Sequence, residues 1–276
     1  MNENRGKLYI CATPIGNLED ITLRVLRILQ EVDLIAAEDT RHTLKLLNHY
    51  DIKTPLTSYH EHNEATKSES LTDRLLGGSN IALVSDSGMP GISDPGGALI
   101  RRCHELQIPV QICPGASAGI SALVLSGLCA RRYAFEGFLP REKKKRRETL
   151  VSLATEQRTI VLYEAPHRLL TVLQEIYEHL GDREIAVVRE ITKKFEEVRC
   201  GSLTEIIEHY SENVIKGEIV LIIEGAEPIV ENWPADIMFH VEHYVEMGLS
   251  EMEAMKRAAK DRGVAKSEIY KVYKTR

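Results

Sequence analysis

The chain has 276 residues, of which 43% are apolar and 28% charged, and its formal net charge is −6. At ~150 residues per domain this suggests about two domains, and the mix of apolar and charged residues excludes wholesale disorder. Net acidity excludes a uniformly basic nucleic-acid coat protein, but not local basic patches, because charge acts within a Debye length of ~8 Å. Five cysteines, Cys11, Cys103, Cys113, Cys129 and Cys200, form no C-x-x-C pair, so neither a zinc knuckle nor a redox motif is expected. Their odd number and the N-terminal sequence, which has no signal-peptide pattern, suggest the reducing cytoplasm.

In chain order, apolar strands are predicted at Leu8–Ala12, Leu34–Ala37, Leu56–Tyr59, Ile81–Ser85 and Val110–Cys113. Ile21, Val25, Leu26, Ile28 and Leu29 keep a 3.6-residue period, with Asp20 as the expected N-cap. Further helices are predicted at Thr43–Tyr50, Lys67–Leu76, Ala98–Leu106 and Ser117–Leu128. Repeated β-α units imply a largely parallel sheet covered by helices. Leu106 to Ala130 carries no charge, but its prolines and glycines make it a strand, turn and helix rather than a membrane span.

The pattern changes near Cys129–Tyr133. Strands are predicted at Ala134–Phe138, Thr159–Tyr163, Glu184–Arg189, Glu196–Cys200 and Ile219–Ile223, and helices at Glu142–Ala154, His167–Leu180 and Leu203–Tyr210. Less strict alternation implies a mixed sheet. From about Trp233 the tail is predicted helical, with capping-box spacing at Ser250 and Glu253, a stop at Gly263 and a last helix at Lys266–Tyr273. Two short helices about a glycine turn resemble a helix-turn-helix, although a plain helical hairpin packed on the body is the favoured reading of this pattern. The expected domains are 1–130, 131–228 and 229–276.

The most informative stretch is Ser85-Asp86-Ser87-Gly88-Met89-Pro90-Gly91-Ile92-Ser93-Asp94-Pro95-Gly96-Gly97. It lies between a strand and a helix, where open α/β sheets bind ligands. It matches neither a Walker A loop nor a dinucleotide fingerprint. It holds no lysine but two carboxylates, which would repel a triphosphate. Ordinary turn chemistry also uses these residue types. S-adenosylmethionine (SAM) suits the loop, because it offers a sulfonium, an ammonium and ribose hydroxyls, and no phosphate. Thr13-Pro14-Ile15-Gly16-Asn17 and Pro114-Gly115-Ala116-Ser117-Ala118 follow other strands of the same sheet and belong at the same edge.

Together these blocks resemble the tetrapyrrole-methylase superfamily of SAM-dependent methyltransferases, and within it the ribosomal RNA small subunit methyltransferase I family. The similarity continues through Ala37-Glu38-Asp39-Thr40-Arg41, Tyr59-His60-Glu61-His62-Asn63, Gly137-Phe138-Leu139-Pro140, Tyr163-Glu164-Ala165-Pro166-His167-Arg168, Arg189-Glu190-Ile191-Thr192-Lys193-Lys194-Phe195-Glu196 and Lys216-Gly217-Glu218. It spans at least residues 7–225. Ser87-Gly88-Met89-Pro90 departs from the commoner Ala-Gly-Thr-Pro, Ala165 from serine and Ile191 from leucine.

The resemblance implies two α/β domains with SAM in the cleft between them, a homodimer, and 2′-O-methylation of a cytidine in the decoding region of 16S rRNA. It places Pro14, Gly88, Met89, Ile92, Asp94, Ala116 and Ser117 beside SAM, with Tyr163 approaching from the second domain. Gly16, Asp86, Pro90, Ser93, Pro114 and Gly115 complete the expected cofactor set from the same loops.

A ribose hydroxyl must lose its proton during methyl transfer, and a general base contributes ~10²–10⁴-fold. His60, Asp39, Glu61, Glu164 and His167 are the candidates, with His62 beside them. No metal is required. Arg41 and Arg168 suit either a phosphate or the neighbouring carboxylates. Arg141, Lys143, Lys144, Lys145, Arg146 and Arg147 form a basic run opposed only by Glu142, and Lys193 and Lys194 add two cations. Residues 256–276 carry a net +6, leaving −12 elsewhere, a segregation that suits local RNA contact as well as a solvated surface. Two alternatives stay open at this point: carbon methylation of a porphyrin or corrin precursor, and a nucleic-acid-binding regulator with the α/β body as a ligand sensor.

Overall fold

The computed structural model describes residues 5–212, 215–227 and 236–274. The chain divides into two compact units, Met1–Ala226 and Glu227–Arg276. The first holds two five-stranded sheets. In chain order its first half runs β1 (Leu8–Cys11), α1 (Leu23–Glu31), β2 (Leu34–Ala37), α2 (Thr40–His49), β3 (Leu56–Ser58), α3 (Glu64–Leu76), β4 (Ile81–Val84), α4 (Gly97–Glu105), β5 (Val110–Cys113) and α5 (Ala118–Leu125). The strands pair in the order β3-β2-β4-β1-β5, all parallel.

Side chains alternate across this sheet with the period of two that a strand imposes. Leu34, Ala36, Ile81 and Leu83 face one core with Leu71, Leu75 and Leu99 of α3 and α4. Ile35, Ala37, Ala82 and Val84 face the other core with Val25, Ile28, Leu29 and Leu47 of α1 and α2. Burial on both faces explains why these strands read as continuous apolar runs. Local expectations change at the helix ends: α2 and α3 each begin three residues earlier than predicted, and α5 ends at Leu125 instead of Leu128. Asp20 does not cap α1. The chain first makes a 3₁₀ turn over Leu18–Asp20, and Thr22 then accepts the Val25 N–H at 3.2 Å. The apolar stretch after Pro109 is β5 plus an eight-residue α5, and no described helix is long and apolar enough to cross a membrane.

The second half runs β6 (Tyr133–Phe138), α6 (Lys143–Leu153), β7 (Thr159–Glu164), α7 (Leu169–Leu180), β8 (Glu184–Arg189), β9 (Glu197–Ser202), α8 (Leu203–Ser211) and β10 (Ile219–Ile223). The order is β6-β7-β10-β8-β9, with β6 and β7 parallel and every other pair antiparallel. One face packs on α6, α7 and α8. The other receives Ala122 and Leu123 of α5 and Ile15 from the loop after β1. By chain order α5 belongs with residues 1–130, yet it buries its core residues on the second sheet, so the two sheets sit in one compact unit.

The tail unit contains α9 (Ile237–Glu246), α10 (Glu251–Arg262) and α11 (Lys266–Lys274). The expected helical start near Trp233 lies outside the described residues. Ser250 and Glu253 form a reciprocal capping box, and Gly263 ends α10 in the left-handed conformation at φ 64°. Val241, Tyr244, Met255, Ala258 and Ile269 form the core of this unit.

Candidate active site

A parallel sheet brings the loops after β1, β2, β4 and β5 to one edge, and two of these loops are zipped together. Thr13 N–H donates to Gly88 O at 2.8 Å, and Gly88 N–H returns to Thr13 O at 3.1 Å. Gly88 adopts φ +81°, and an added Cβ would stand 3.3 Å from Ile15, so glycine alone fits this bridge. The next part of the loop is fixed from a distance. Glu64, at the start of α3, accepts the Tyr59 hydroxyl at 3.0 Å and the N–H groups of Gly96 and Ala98 at 3.2 and 3.4 Å. It therefore caps α4 from another helix, a role that sequence spacing does not reveal. Glu64→Ala is expected to cost about 1–2 kcal/mol and to open the 85–96 loop to limited proteolysis. Glu64→Gln, which keeps the acceptor, should protect the loop nearly as well as the native residue.

Between the sheets lies a pocket of about 360 Å³. Its walls come from Ile15; Ser87, Gly88, Met89, Ile92, Ser93 and Asp94; Ser117 and Ala118; Phe138; Tyr163, Glu164, Ala165 and Pro166; Ile191; and Gly217, Glu218, Ile219 and Val220. Of the expected cofactor residues, Gly88, Met89, Ile92, Ser93, Asp94, Ser117 and Tyr163 are on these walls. Pro14, Gly16, Asp86, Pro90, Pro114, Gly115 and Ala116 are not.

The geometry gives several of the latter another task. Asp86 accepts the Asp39 N–H at 3.0 Å and donates its own N–H towards Glu38 at 3.4 Å, tying the loop to the end of β2. A Cβ on Gly16 would come within 2.5 Å of Lys193 Cγ and 2.9 Å of Ile191 O, so Gly16 permits close approach of the turn after β8. Gly115 likewise lies against Ala12.

The sequence reading missed Ile15, Ser87, Ala118, Phe138, Ala165, Pro166, Ile191, Gly217, Glu218, Ile219 and Val220 as wall residues. Many of them stand in the quoted blocks, but only the packing of one sheet on the other turns them towards the pocket.

Four carboxylates on or near the pocket are shifted from their usual values. Burial, then the charge of Asp94, pushes the Glu38 carboxyl above its usual value. Burial does the same to Asp94 and to Glu164. Asp39 is driven the opposite way by hydrogen bonds from Arg41, whose side chain grips it at 2.6 and 3.1 Å. Tyr163 is raised by burial, and its hydroxyl accepts the Gly119 N–H at 3.2 Å. Its ring meets Phe135 and Phe138 at 5.2 and 5.5 Å.

Of the five candidate bases only Glu164 lines the pocket. Its Oε1 accepts the Ala165 N–H at 2.7 Å and lies 3.4 Å from Arg168 Nε. Asp39 caps α2 outside the pocket. His60 packs beside Asn63, with Nε2 at 3.2 Å from the amide, and Glu61, His62 and His167 lie away from the walls.

The basic run requires one correction. Arg146 does not face solvent. It is 7% exposed, and its guanidinium spans both oxygens of Glu175 at 2.5 and 2.9 Å while donating to Pro140 O and Arg141 O. On a helix the inward position of a seven-residue run must go somewhere, and here a largely buried carboxylate receives it. Arg141, Lys143, Lys144, Lys145 and Arg147 remain exposed. Arg168 turns inward to Glu164 and Leu139 O, and Lys193 bridges Glu190 and Glu218 at 2.9 Å each. Arg41 and Lys194 are exposed.

Comparison with known proteins adds to this geometry. Residues 7–207 match the family model of Tetrapyrrole (Corrin/Porphyrin) Methylases. A protein of Halalkalibacterium halodurans named ribosomal RNA small subunit methyltransferase I is 48% identical, covering 98% of this chain and 96% of its own. The chain belongs to the ribosomal RNA small subunit methyltransferase I family of tetrapyrrole methylases. The family member from Bacillus subtilis is 47% identical over 97% of this chain and 94% of its own. The fold of this family member also resembles that of the uroporphyrin-III C-methyltransferase of Thermus thermophilus solved with S-adenosyl homocysteine. That likeness has a TM-score of 0.56 at 19% identity and covers 79% of this chain and 97% of the other.

Proposed function

We propose that the chain transfers a methyl group from SAM to the ribose 2′-hydroxyl of a cytidine in the decoding region of 16S rRNA. The near full-length match to relatives named ribosomal RNA small subunit methyltransferase I carries this reading. The pocket suits SAM: its size falls within the ~300–1,000 Å³ typical of small-molecule sites. Its walls are mainly apolar, and among the described residues no lysine or arginine lines them. Asp94, Glu164 and Glu218 offer negative charge to a cationic ligand, and Tyr163 and Phe138 offer aromatic rings that favour a sulfonium.

Met89, Ile92, Ser117 and Tyr163 would hold the cofactor, which when bound supplies an electrophilic methyl group. The protein's own task is alignment and proton removal, because fixing the acceptor oxygen in line removes an entropic barrier. Glu164 takes the hydroxyl proton. It combines a place on the wall with a carboxyl that burial has made more basic. The Arg41 and Lys194 side chains and the exposed cations of 141–147 hold RNA phosphates. The same enzyme works in the cytoplasm, where small subunits are found.

The proposed functional form is a homodimer. A helix that is apolar at all but one position, as α5 is apart from Ser121, is normally buried on most sides, yet Ile120, Val124 and Leu125 are 45, 71 and 44% exposed, and Ile112 on the edge strand β5 is 52% exposed. A second copy, docking this same patch about a two-fold axis, covers them. Val124→Asp is expected to shift the sedimentation of the chain from dimer to monomer. A monomeric native chain would sink this assembly.

The deciding experiment supplies labelled SAM to small ribosomal subunits from a strain lacking this chain, then maps the modified nucleotide. A 2′-O-methylcytidine in the decoding region is expected. Transfer to a tetrapyrrole precursor instead of subunits or naked rRNA would overturn the reading.

A further inference from the structure

We propose that Phe195, on the turn between β8 and β9, is a stacking platform for an unpaired base of the RNA substrate beside the pocket mouth. The inference rests on the RNA reading above. Two non-glycine residues of this turn, Glu190 and Thr192, are held in the left-handed region at φ 49° and 64°. A β-branched residue seldom adopts that conformation, and such strain persists only where the surroundings impose it, typically at functional sites.

The surroundings here are explicit. Lys193 Nζ sits 2.9 Å from both Glu190 and Glu218, Glu190 N–H donates to Glu218 O at 3.0 Å, and the Glu196 carboxylate accepts the Thr192 N–H at 2.6 Å. Ile191 and Glu218 are pocket walls, so the turn forms part of the rim.

Despite this rigid mounting, the turn leaves Phe195 72% exposed, the most exposed aromatic ring among the described residues of Met1–Ala226. Lys194 Nζ lies 5.6 Å from its ring centre. A bare ring with an ammonium beside it matches the chemistry of single-stranded nucleic acid, with a base for the ring and a phosphate for the cation. An unpaired nucleotide also reaches a recessed pocket more readily than one held in a helix, and an aromatic platform at the rim would hold its base.

Trp233 is the one tryptophan of the chain. In a Trp233→Phe, Phe195→Trp chain, indole emission therefore reports position 195 alone. Unmodified 16S rRNA is expected to quench that emission, and SAM alone to leave it unchanged. In the native background, Phe195→Ala should raise KM for small subunits by about tenfold or more, with SAM affinity unchanged, and Phe195→Tyr should stay within about threefold of the native value. Unquenched emission on RNA that the chain does bind would overturn the platform, as would a native KM in Phe195→Ala. If the native chain methylates neither subunits nor naked rRNA, the RNA reading itself falls, and this inference falls with it.

Discussion

Glu164→Gln is expected to lower turnover at saturating SAM and subunit by about 10²–10⁴-fold, the usual contribution of a positioned base. The substitution leaves the local geometry in place, because the amide oxygen still accepts the Ala165 N–H that Glu164 Oε1 holds at 2.7 Å. Arg168 keeps its bond to Leu139 O.

The pH profile gives a second readout. Burial raises the Glu164 carboxyl above its usual value, against the opposing pull of the Ala165 N–H and Arg168. A base acts when deprotonated, so native activity should rise with pH through a midpoint above the ordinary carboxylate range and then level off. Residual activity of Glu164→Gln should not show that rise. Stability runs the other way. A carboxyl whose folded value is raised binds its proton more tightly in the native state. Its contribution is then most favourable below the unfolded value and is lost as pH rises through the folded value. Activity and this part of stability therefore oppose each other in one pH window. Turnover within tenfold of native in Glu164→Gln would move the proton acceptor to Asp94, a further wall carboxyl raised by burial.

Arg146→Ala is expected to cost about 3–5 kcal/mol, because it strands the Glu175 carboxylate in a site that is mostly buried. The Arg146 and Glu175 side chains are 9% and 15% exposed, and the guanidinium also satisfies two backbone carbonyls before α6. A fall in melting temperature on the order of 10 °C follows for a unit of this size. RNA affinity of the folded variant, measured well below its melt, should stay close to native. Lys144→Gln and Arg147→Gln should do the reverse. Melting should change little, RNA binding should weaken, and the salt dependence should become shallower by about one unit of slope for each phosphate no longer neutralised. An Arg146→Ala chain with native melting but poor RNA binding would return Arg146 to the RNA surface.

These two residues show what one-dimensional reading can and cannot separate. Arg146 and Arg147 are adjacent, carry the same charge and sit in the same run. Their fates diverge because α6 turns one of them onto Glu175, 29 residues further along the chain, and the other to solvent. Among the candidate bases, Asp39 and Glu164 are both carboxylates beside an arginine. Asp39 ends as a helix cap outside the pocket, whereas Glu164 lies at the end of β7 facing the other half of the unit.

Local sequence was sufficient for the elements and for the chemistry of the loops. Apolar runs with short polar breaks specify strands and helices, and β-α alternation leaves a parallel sheet as the simplest arrangement, so the loops after β1, β4 and β5 had to share an edge. The absence of lysine and the presence of Asp86 and Asp94 in the long loop pointed to a ligand without phosphate.

Which of those residues face a pocket was settled by packing. The second wall, Phe138, Ile191 and Gly217 to Val220, comes from segments about 80 residues apart in the chain, and α5 joins the second sheet although it follows the first. Close approach of the Gly16 loop to the 191–193 turn, the distant Glu64 cap on α4 and the inward turn of Arg146 all join elements remote in sequence. Local propensity acts over a few residues, so it can specify a strand or a cap. Which distant partner that strand or side chain meets depends on how two packed cores fit together.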